Sequence, residues 1–280
     1  MTKTIYLSTK DHSVSGEIFD LEYNSESDLL KTIPQPPESQ LGNYYQSEDY
    51  ISHTDSKRTL FEKVYHWVRS FALKSKLNLI QPWKAANSRL LDIGAGTGDF
   101  LSEATKSGWQ TTGFEPSESA RKIALGKEVT LTDDLKNLPD SSFDAITMWH
   151  VLEHVPDVDV QILELKRLLK PTGILVIAVP NFKSYDAKIY GSFWAAYDVP
   201  RHLTHFSRQS ISRLFANHHM ELIKYKPMWF DAFYVSLLSE KYRSGSMKPI
   251  KSLFNGLISN IKGCFSGEFS SHIYLIRHKA

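Results

Sequence analysis

A glycine loop at Gly94–Gly98 is the part of this 280-residue sequence best suited to bind a ligand. It holds three glycines and lies between a short apolar run over 89–93 and a segment of helical spacing over 100–106. Glycine allows positive φ angles and lets the backbone approach a ligand closely, and the start of a helix presents free N–H groups. The pattern predicts a strand, a binding loop and a helix.

Two acidic residues indicate what kind of ligand this loop would accept. A dinucleotide fingerprint needs G-x-G-x-x-G, whereas the loop here reads G-x-G-x-G, with Asp99 in the sixth position. Asp92 precedes the loop and would attract a cation and repel a pyrophosphate. Glu115 ends the next predicted strand, where a carboxylate can accept hydrogen bonds from both ribose hydroxyls or simply cap the next helix. The pattern favours a cationic nucleoside without phosphate.

Four histidines are the candidate proton acceptors, because imidazole is the natural base near neutral pH. His150 and His154 enclose the run His-Val-Leu-Glu-His, and His202 and His205 lie in a later aromatic segment. A structural or helix-capping role for His154 is the open alternative. The run is not the H-E-x-x-H of a metal-binding helix, so no metal is predicted.

Strand and helix patterns alternate from residue 89 onward, which is typical of a doubly wound, mostly parallel sheet in an α/β fold. In such a sheet ligands bind at the carboxyl ends of the strands. Residues 1–57 are predicted to form a small N-terminal extension containing short strands. Residues 58–280 are predicted as the main domain, which begins with a helix over 58–80. That helix packs on the core or, as the alternative, lies on a membrane.

Two later segments are predicted to shape the substrate side. Residues 181–206 are rich in aromatic and histidine side chains and are interpreted as a substrate lid; an ordinary loop packed over the sheet is the alternative. Residues 229–267 are predicted as a helical insertion, in which apolar residues recur beside lysines. Such a stripe lies on a membrane surface or packs on the core or on a partner chain.

Composition excludes some classes of function. A net charge of +2 without a clustered basic face gives no indication of nucleic-acid binding. The single cysteine, Cys264, excludes an internal disulfide and favours a cytoplasmic protein. The oligomeric state is not readable from the sequence.

Five ordered segments between about residues 88 and 180 resemble the class I S-adenosylmethionine (SAM)-dependent methyltransferases. They are Leu90–Gly98, Gly113–Pro116, Leu138–Ile146, His150–Val155 and Leu168–Gly173. The resemblance is to the branch that contains ubiquinone-biosynthesis O-methyltransferases and related bacterial small-molecule methyltransferases. It implies a seven-stranded Rossmann-like sheet. Some relatives carry an N-terminal cysteine-rich zinc knuckle, which residues 1–40 cannot form because they contain no cysteine.

The resemblance also implies roles for individual residues. The glycine loop would line the methionine end of SAM, Asp92 would anchor the loop and attract the ammonium, and Glu115 would hold the ribose. The backbone of Leu135 and the side chain of Asp134 would meet the adenine; Asp133 is the adjacent alternative, and a solvated turn is another. The implied SAM-binding residues are Asp92, Gly94, Ala95, Gly96, Gly98, Glu115, Pro116, Asp134, Leu135, Trp149 and His150.

The implied reaction is in-line transfer of a methyl group from SAM to a small-molecule acceptor, at a hydroxyl oxygen, with S-adenosylhomocysteine as product. His150, His154, His202 and His205 are the candidate bases. Tyr197, Arg201 and His202 are predicted to contact the acceptor. Two alternatives stay open: a catalytically silent SAM-binding partner protein, and methylation of a lipid or quinone-like substrate at a membrane surface.

Overall fold

The computed structural model describes residues 3–45, 60–127 and 129–279. Contacts divide the chain into two compact units. One, named here the glycine-loop unit, comprises the described residues within 53–149, 160–177 and 275–280. The other, the histidine unit, comprises those within 1–52, 150–159 and 178–274. The predicted domain boundary between residues 57 and 58 lies outside the described residues.

The fold is α/β, as predicted. The strands are β1 (Lys3–Lys10), β2 (Ile18–Asn24), β3 (Leu29–Ile33), β4 (Arg89–Ile93), β5 (Gln110–Phe114), β6 (Leu131–Thr132), β7 (Phe143–Trp149), β8 (Leu169–Pro180), β9 (Thr204–His205), β10 (Met220–Pro227) and β11 (Ser271–His278). The α-helices are α1 (Glu38–Leu41), α2 (Leu60–Ile80), α3 (Asp99–Lys106), α4 (Glu118–Leu125), α5 (Val158–Leu168), α6 (Tyr185–Tyr190), α7 (Arg208–Asn217), α8 (Asp231–Ser244) and α9 (Pro249–Ser266).

Seven of these strands form one mostly parallel sheet in the order β10-β11-β8-β7-β4-β5-β6. β4 pairs in parallel with β5 and with β7, and β5 pairs in parallel with β6. The apolar side chains of β4 and β7 are almost wholly buried, as in parallel strands covered on both faces. This sheet confirms the predicted doubly wound, Rossmann-like fold.

A second sheet forms in the histidine unit and has the order β1-β2-β3-β9. Its first three strands come from the N-terminal extension, which confirms the short strands predicted there. The fourth is Thr204–His205, which pairs antiparallel with Leu30 and Lys31 of β3. The aromatic segment over 181–206 therefore completes a sheet begun by the N-terminus, and it is folded as α6 and two short 3₁₀ helices.

Aromatic side chains of this segment form the core beneath that sheet. Trp194 and Tyr197 are buried and pack with Phe19, Leu21 and Leu30 of the N-terminal strands. The indole N–H of Trp194 donates to Asp186 Oδ2 at 2.7 Å. These aromatic side chains of the segment are packed in a core, as in the alternative of an ordinary loop packed over the sheet, and the lid stays a prediction.

β8 begins at Leu169, directly after α5 ends at Leu168. Lys170 Nζ lies 2.8 Å from both carboxylate oxygens of Asp144 at the start of this strand. The Ser207 side chain caps α7. Helices α8 and α9 occupy the predicted helical insertion.

A buried ion-pair network centred on Arg201 joins the parts of the histidine unit. Arg201 Nη2 donates to Asp11 Oδ1 at 2.9 Å and to Asp198 Oδ1 at 2.7 Å, and Nη1 donates to the carbonyl of Tyr44 at 2.7 Å. Burial alone would raise the pKa of Asp11, but the hydrogen bond from Arg201 and those from nearby backbone N–H groups outweigh burial and lower it. Asp11 is therefore ionised at neutral pH and attracts the guanidinium.

We expect Asp11→Asn to lower the free energy of unfolding by about 3 kcal/mol, because removing one partner leaves the other charge buried and poorly compensated. Urea unfolding followed by circular dichroism measures this. The matched control is Glu103→Gln, which breaks the exposed pair between Glu103 and Lys106 and should change stability by less than about 0.5 kcal/mol. Equal effects of the two variants would contradict the role given to Arg201.

Candidate functional site

The glycine loop is held in one conformation by the neighbouring strand. The N–H groups of Gly94 and Ala95 both donate to the carbonyl of Phe114, at 2.9 and 3.0 Å. Gly96 and Gly98 have φ angles of 53° and 76°, a region that side chains other than glycine rarely adopt. A Cβ on Gly96 would meet no described atom within 4 Å. The loop therefore leaves open space at Gly96, while its shape requires glycine.

Glu115 connects this loop to the start of α4. Its Oε2 accepts from the N–H of Gly96 at 2.8 Å, and its Oε1 accepts from the N–H of Ser117 at 2.9 Å. Each carboxylate oxygen can accept more than one hydrogen bond, so these contacts leave capacity for hydroxyl groups. Both readings made from the sequence, a ribose contact and a helix-start contact, are compatible with this geometry.

Asp92 lies at the end of β4 and is 2% exposed. Thr147 is its partner in the register of β7, and the Thr147 hydroxyl donates to Asp92 Oδ1 at 2.5 Å. Burial raises the pKa of Asp92 to about 7, against the opposing effects of the Thr147 hydrogen bond and the Lys76 charge. A cation bound beside Asp92 would favour its ionised form.

The predicted adenine region is a turn closed by its own acidic residue. Asp134 Oδ1 accepts from the N–H of Lys136 at 2.8 Å, and Oδ2 accepts from the Asn137 side chain. The Leu135 carbonyl accepts from Arg167 at 3.2 Å. The alternative residue, Asp133, pairs with Arg121 at 3.0 Å. These bonds fix the turn, and the adenine contact stays a prediction.

Trp149 ends β7 and contributes a polar atom that lacks a partner. Its ring packs edge-to-face on Phe100, with centroids 5.6 Å apart, and Lys76 Nζ lies 4.4 Å from the ring centre. The indole Nε1 is buried without a hydrogen-bond partner among the described residues. Sequence reasoning missed Lys76 and Thr147; a threonine within the apolar run of β7 was the available signal for the second.

In the histidine unit, His150 lies between two carboxylates. Its Nε2 is 3.1 Å from Asp231 Oδ2, and its Nδ1 is 3.3 Å from Glu153 Oε1. Burial alone would lower the pKa of His150, but Asp231 and then Glu153 outweigh it and raise the pKa to about 10. An imidazolium has no lone pair, so His150 in this arrangement holds a proton and does not accept one. Asp231 was not found from the sequence, because nothing local connects positions 81 residues apart.

His154 and His202 each point one nitrogen at a backbone carbonyl. His154 Nδ1 lies 3.0 Å from the Arg201 carbonyl, and His202 Nδ1 lies 2.9 Å from the Ala196 carbonyl. A carbonyl only accepts, so in both rings Nδ1 carries the hydrogen and Nε2 keeps the lone pair. The Tyr45 hydroxyl, 3.1 Å from His154 Nδ1, is then a second acceptor for that hydrogen. The rings meet edge-to-face with centroids 4.5 Å apart. His154 is half-buried, whereas His202 is buried and burial lowers its pKa to about 4.

Glu153 brings a buried carboxylate to these two rings. It is 1% exposed; its Oε1 lies 3.3 Å from His150 Nδ1, and its Oε2 has no hydrogen-bond partner within the part of the chain that the structure describes. One ligand atom each from Glu153, His154 and His202 lie within 4.8 Å of one another. Three electron-pair donors so placed can take up a proton, and they are also the described group with the spacing to hold a metal ion.

The remaining predicted acceptor-side residues are buried. Tyr197 packs edge-to-face on Trp194 and on His205, and burial raises its pKa. Arg201 is engaged by the carboxylates described above. His205 Nε2 is 3.0 Å from the Thr32 hydroxyl, and burial lowers its pKa well below the usual value. Their assignment to acceptor binding stays a prediction.

Comparison with known proteins identifies the family of this chain. A family model described as a methyltransferase domain matches residues 65–225, more than half of the chain. The chain belongs to this methyltransferase-domain family, and its seven-stranded sheet is that of the class I SAM-dependent methyltransferase fold.

Individual relatives share parts of the chain. Ubiquinone biosynthesis O-methyltransferase of Rhodopseudomonas palustris (strain TIE-1) is 35% identical over 125 residues, covering 40% of this chain and 49% of that protein. The protein of the same name from Xanthomonas oryzae pv. oryzae (strain PXO99A) is 30% identical over 133 residues, covering 43% and 56%. The chain thus spans about half the length of the curated relatives it matches.

A solved structure extends the likeness in fold. Geranyl diphosphate C-methyltransferase from Streptomyces coelicolor A3(2), solved with S-adenosyl-L-homocysteine, Mg²⁺ and geranyl diphosphate, covers 86% of this chain and 97% of its own. Its TM-score is 0.58 at 14% identity, which shows a shared fold.

SAM is the cofactor that the methyltransferase family supports, and the residues of the glycine-loop unit fit it. The fit rests on the open space at Gly96, the unpartnered Nε1 of Trp149 and the two acidic residues Asp92 and Glu115. The acids suit the ammonium and ribose of SAM, which carries no phosphate.

We expect Glu115→Ala to raise the Kd for SAM by about 10- to 100-fold, because hydrogen bonds to a charged acceptor contribute about 1.5–3 kcal/mol each. Isothermal titration calorimetry measures the Kd, and circular dichroism reports whether the fold persists. Glu118→Ala, which removes an exposed acid paired with Lys122, is the matched control. An unchanged Kd for Glu115→Ala would exclude the ribose contact.

We also expect SAM affinity to depend on pH through Asp92. Because its pKa is raised to about 7, the carboxyl is mostly neutral below that pH and ionised above it. The Kd should fall about tenfold between pH 6 and pH 8. Asp92→Asn should remove this component, while titration of SAM itself is common to both proteins. Parallel pH profiles for the two proteins would show that Asp92 does not interact with the ligand charge.

Proposed function

We propose that the protein transfers a methyl group from SAM to a hydroxyl oxygen of a small-molecule acceptor, with His154 as the general base. The observation that carries the assignment of the base is the tautomer of His154. His154 Nδ1 lies 3.0 Å from the Arg201 carbonyl, which can only accept, so Nδ1 carries the hydrogen and Nε2 keeps a lone pair. One ring nitrogen of His154 lies within 4.8 Å of a carboxylate oxygen of the buried Glu153. A hydroxyl is a weak nucleophile until a base takes its proton.

The other three histidines are less suited to accept a proton. His150 has a carboxylate at each ring nitrogen and holds a proton there. His202 and His205 are buried, and burial disfavours their charged forms. His154 combines partial exposure, a fixed tautomer and a carboxylate neighbour. A base oriented by one polar group and stabilised by a carboxylate when charged follows the logic of the catalytic triads.

The proposed steps leave little covalent chemistry to the protein. The sulfonium of bound SAM supplies an activated methyl group. The residues proposed to hold it are Asp92, Gly94, Ala95, Gly96, Gly98, Glu115, Pro116, Asp134, Leu135, Trp149 and His150. His154 Nε2 takes the proton of the acceptor hydroxyl, and Glu153 stabilises the imidazolium that results. Alignment of the hydroxyl with the methyl group supplies much of the remaining rate enhancement.

Oxygen as the acceptor atom is supported by the names of the curated relatives, which are O-methyltransferases of ubiquinone biosynthesis. Tyr197, Arg201 and His202 stay the proposed acceptor-side residues. Their burial also supports a role in positioning His154, because the carbonyl of Arg201 sets the tautomer of His154. A cytoplasmic location stays a proposal from the sequence.

We expect His154→Asn to lower kcat by about 100- to 1,000-fold, within the range that a general base contributes, while the Kd for SAM stays unchanged. Turnover is measured as S-adenosylhomocysteine released with catechol-type and sugar hydroxyl acceptors. His219→Asn, at an exposed histidine with a φ of 57° that asparagine tolerates, is the matched control. An unchanged kcat in His154→Asn would exclude His154 as the general base.

Dialysis against EDTA tests whether Glu153, His154 and His202 handle a proton or bind a metal ion. We expect kcat of the native protein to survive this treatment. Loss of activity that Zn²⁺ or Mg²⁺ restores would instead assign Glu153, His154 and His202 to a metal ion and remove His154 as the base.

A further inference from the structure

Helix α9 has its large apolar side chains on the outside. Its buried residues are small or polar: Ser252, Gly256, Ser259, Asn260 and Gly263. Its exposed apolar residues are Ile250, Leu253, Phe254, Leu257, Ile258, Ile261 and Phe265. Helices of globular proteins normally bury the second kind of residue. The stripe singled out from the sequence therefore does not pack on the core of its own unit.

Two glycines fix this orientation. A Cβ on Gly256 would lie 2.6 Å from the Phe233 ring, and one on Gly263 would lie 2.6 Å from the Phe269 ring. No side chain larger than hydrogen fits at either position without movement of its neighbour. Rotating α9 to bury its leucines would bring larger residues into these contacts, so the apolar stripe is held outward by packing.

The charges next to the stripe are positive. The sequence of α9 contains no aspartate or glutamate, and Lys251 and Lys262 lie beside the apolar face, with Lys248 at its start. On an amphipathic helix, lysines in this position keep their ammonium groups in water while their alkyl chains cover apolar surface. This arrangement suits a surface that is apolar inside and anionic at its boundary.

A cavity near the end of α9 also combines lysine side chains with an exposed apolar residue. It has a volume of about 290 Å³, and Lys183, Lys188, Lys262 and the exposed Phe265 are among its lining residues. Glu268 also lines it and is held by Arg208 and Asn181. Lys183 pairs with Asp28, which leaves Lys188 and Lys262 as the cations suited to a phosphate group.

We propose that α9 and this cavity form a docking surface for an anionic phospholipid bilayer, with the helix lying in the interface and a lipid phosphate beside Lys188 and Lys262. No helix among the described residues is long and apolar enough to span a membrane, and an interfacial helix does not need to be. The docking proposal is independent of the proposed reaction and of its base.

Charge argues against a second copy of the chain as the occupant. A two-fold dimer through α9 would place the same surface against itself. Lys251 pairs with Glu240 of α8 at 3.4 Å, but α9 itself contains no acid. Lys262 of one copy would therefore face the same basic surface of the other without an acid from α9 to compensate it. An anionic lipid surface supplies the missing negative charge.

The experiment uses Cys264, which is exposed on α9 and is the only cysteine of the chain. Labelled there with an environment-sensitive fluorophore, the protein is mixed with vesicles of phosphatidylcholine alone or with about a third phosphatidylglycerol, an anionic lipid. Expected are a blue shift and co-sedimentation with the anionic vesicles, weakened by salt. Unlabelled protein is sedimented in parallel to exclude an effect of the label.

Two double variants test separately the apolar face of α9 and the lysines that line the cavity. Leu253→Ser with Leu257→Ser should weaken vesicle binding about 100-fold, since each large apolar side chain contributes about tenfold or more. The matched control is Ile123→Ser with Leu125→Ser, which removes equally exposed apolar residues from α4 and should leave binding unchanged. Lys188→Glu with Lys262→Glu should abolish the preference for anionic vesicles.

Methyl transfer to a water-soluble acceptor is measured for all variants and should stay unchanged, so a failed docking test is distinct from a failed reaction. Absence of vesicle binding by the native protein overturns the proposal. Equal binding by the leucine variant and its control also overturns it. A dimer in analytical ultracentrifugation that the leucine variant dissociates, without vesicle binding, would assign the face to a second copy instead.

Discussion

The buried guanidinium of Arg201 is the contact on which the histidine unit depends. Its side chain binds Asp11 and the Tyr44 carbonyl from the N-terminal extension, and its own carbonyl fixes the tautomer of His154. A planar cation with several donors in fixed directions can make such contacts simultaneously, which lysine cannot. The proposed base is therefore positioned by residues that are far from it in sequence.

Local features of the sequence were sufficient for the glycine-loop unit. The strand and helix that flank Gly94–Gly98 lie within a few residues of it, and the predicted bounds of β4 and α3 agree with the structure to within about one residue. Spacing and the acids Asp92 and Glu115 indicated the character of the ligand. These signals are readable because the elements that form this part of the fold are adjacent in the chain.

The histidine unit was much less predictable, because its contacts join distant segments. The partners of His150 and Arg201, Asp231 and Asp11, are ordinary acids in their own surroundings. Composition alone could not show whether the aromatic residues of 181–206 face an acceptor or a core. The β3–β9 pairing brings Thr204 and His205 of this segment against Leu30 and Lys31. Such non-local pairing carries no short-range sequence signal.

The same pairing makes the N-terminal strands a permanent part of the folded enzyme. A shortened chain that began at the helix over residues 60–80 would keep every residue of the glycine loop. It would lose the strand that β9 pairs with, one of the two carboxylates that compensate Arg201, and the hydroxyl of Thr32 that contacts His205. Such a fragment would retain the residues proposed to hold the cofactor, but it would lose the contacts that position the segment around His154. The N-terminal extension thus stabilises the surroundings of the proposed base. Exchanging this extension between relatives would therefore also change the geometry around that base.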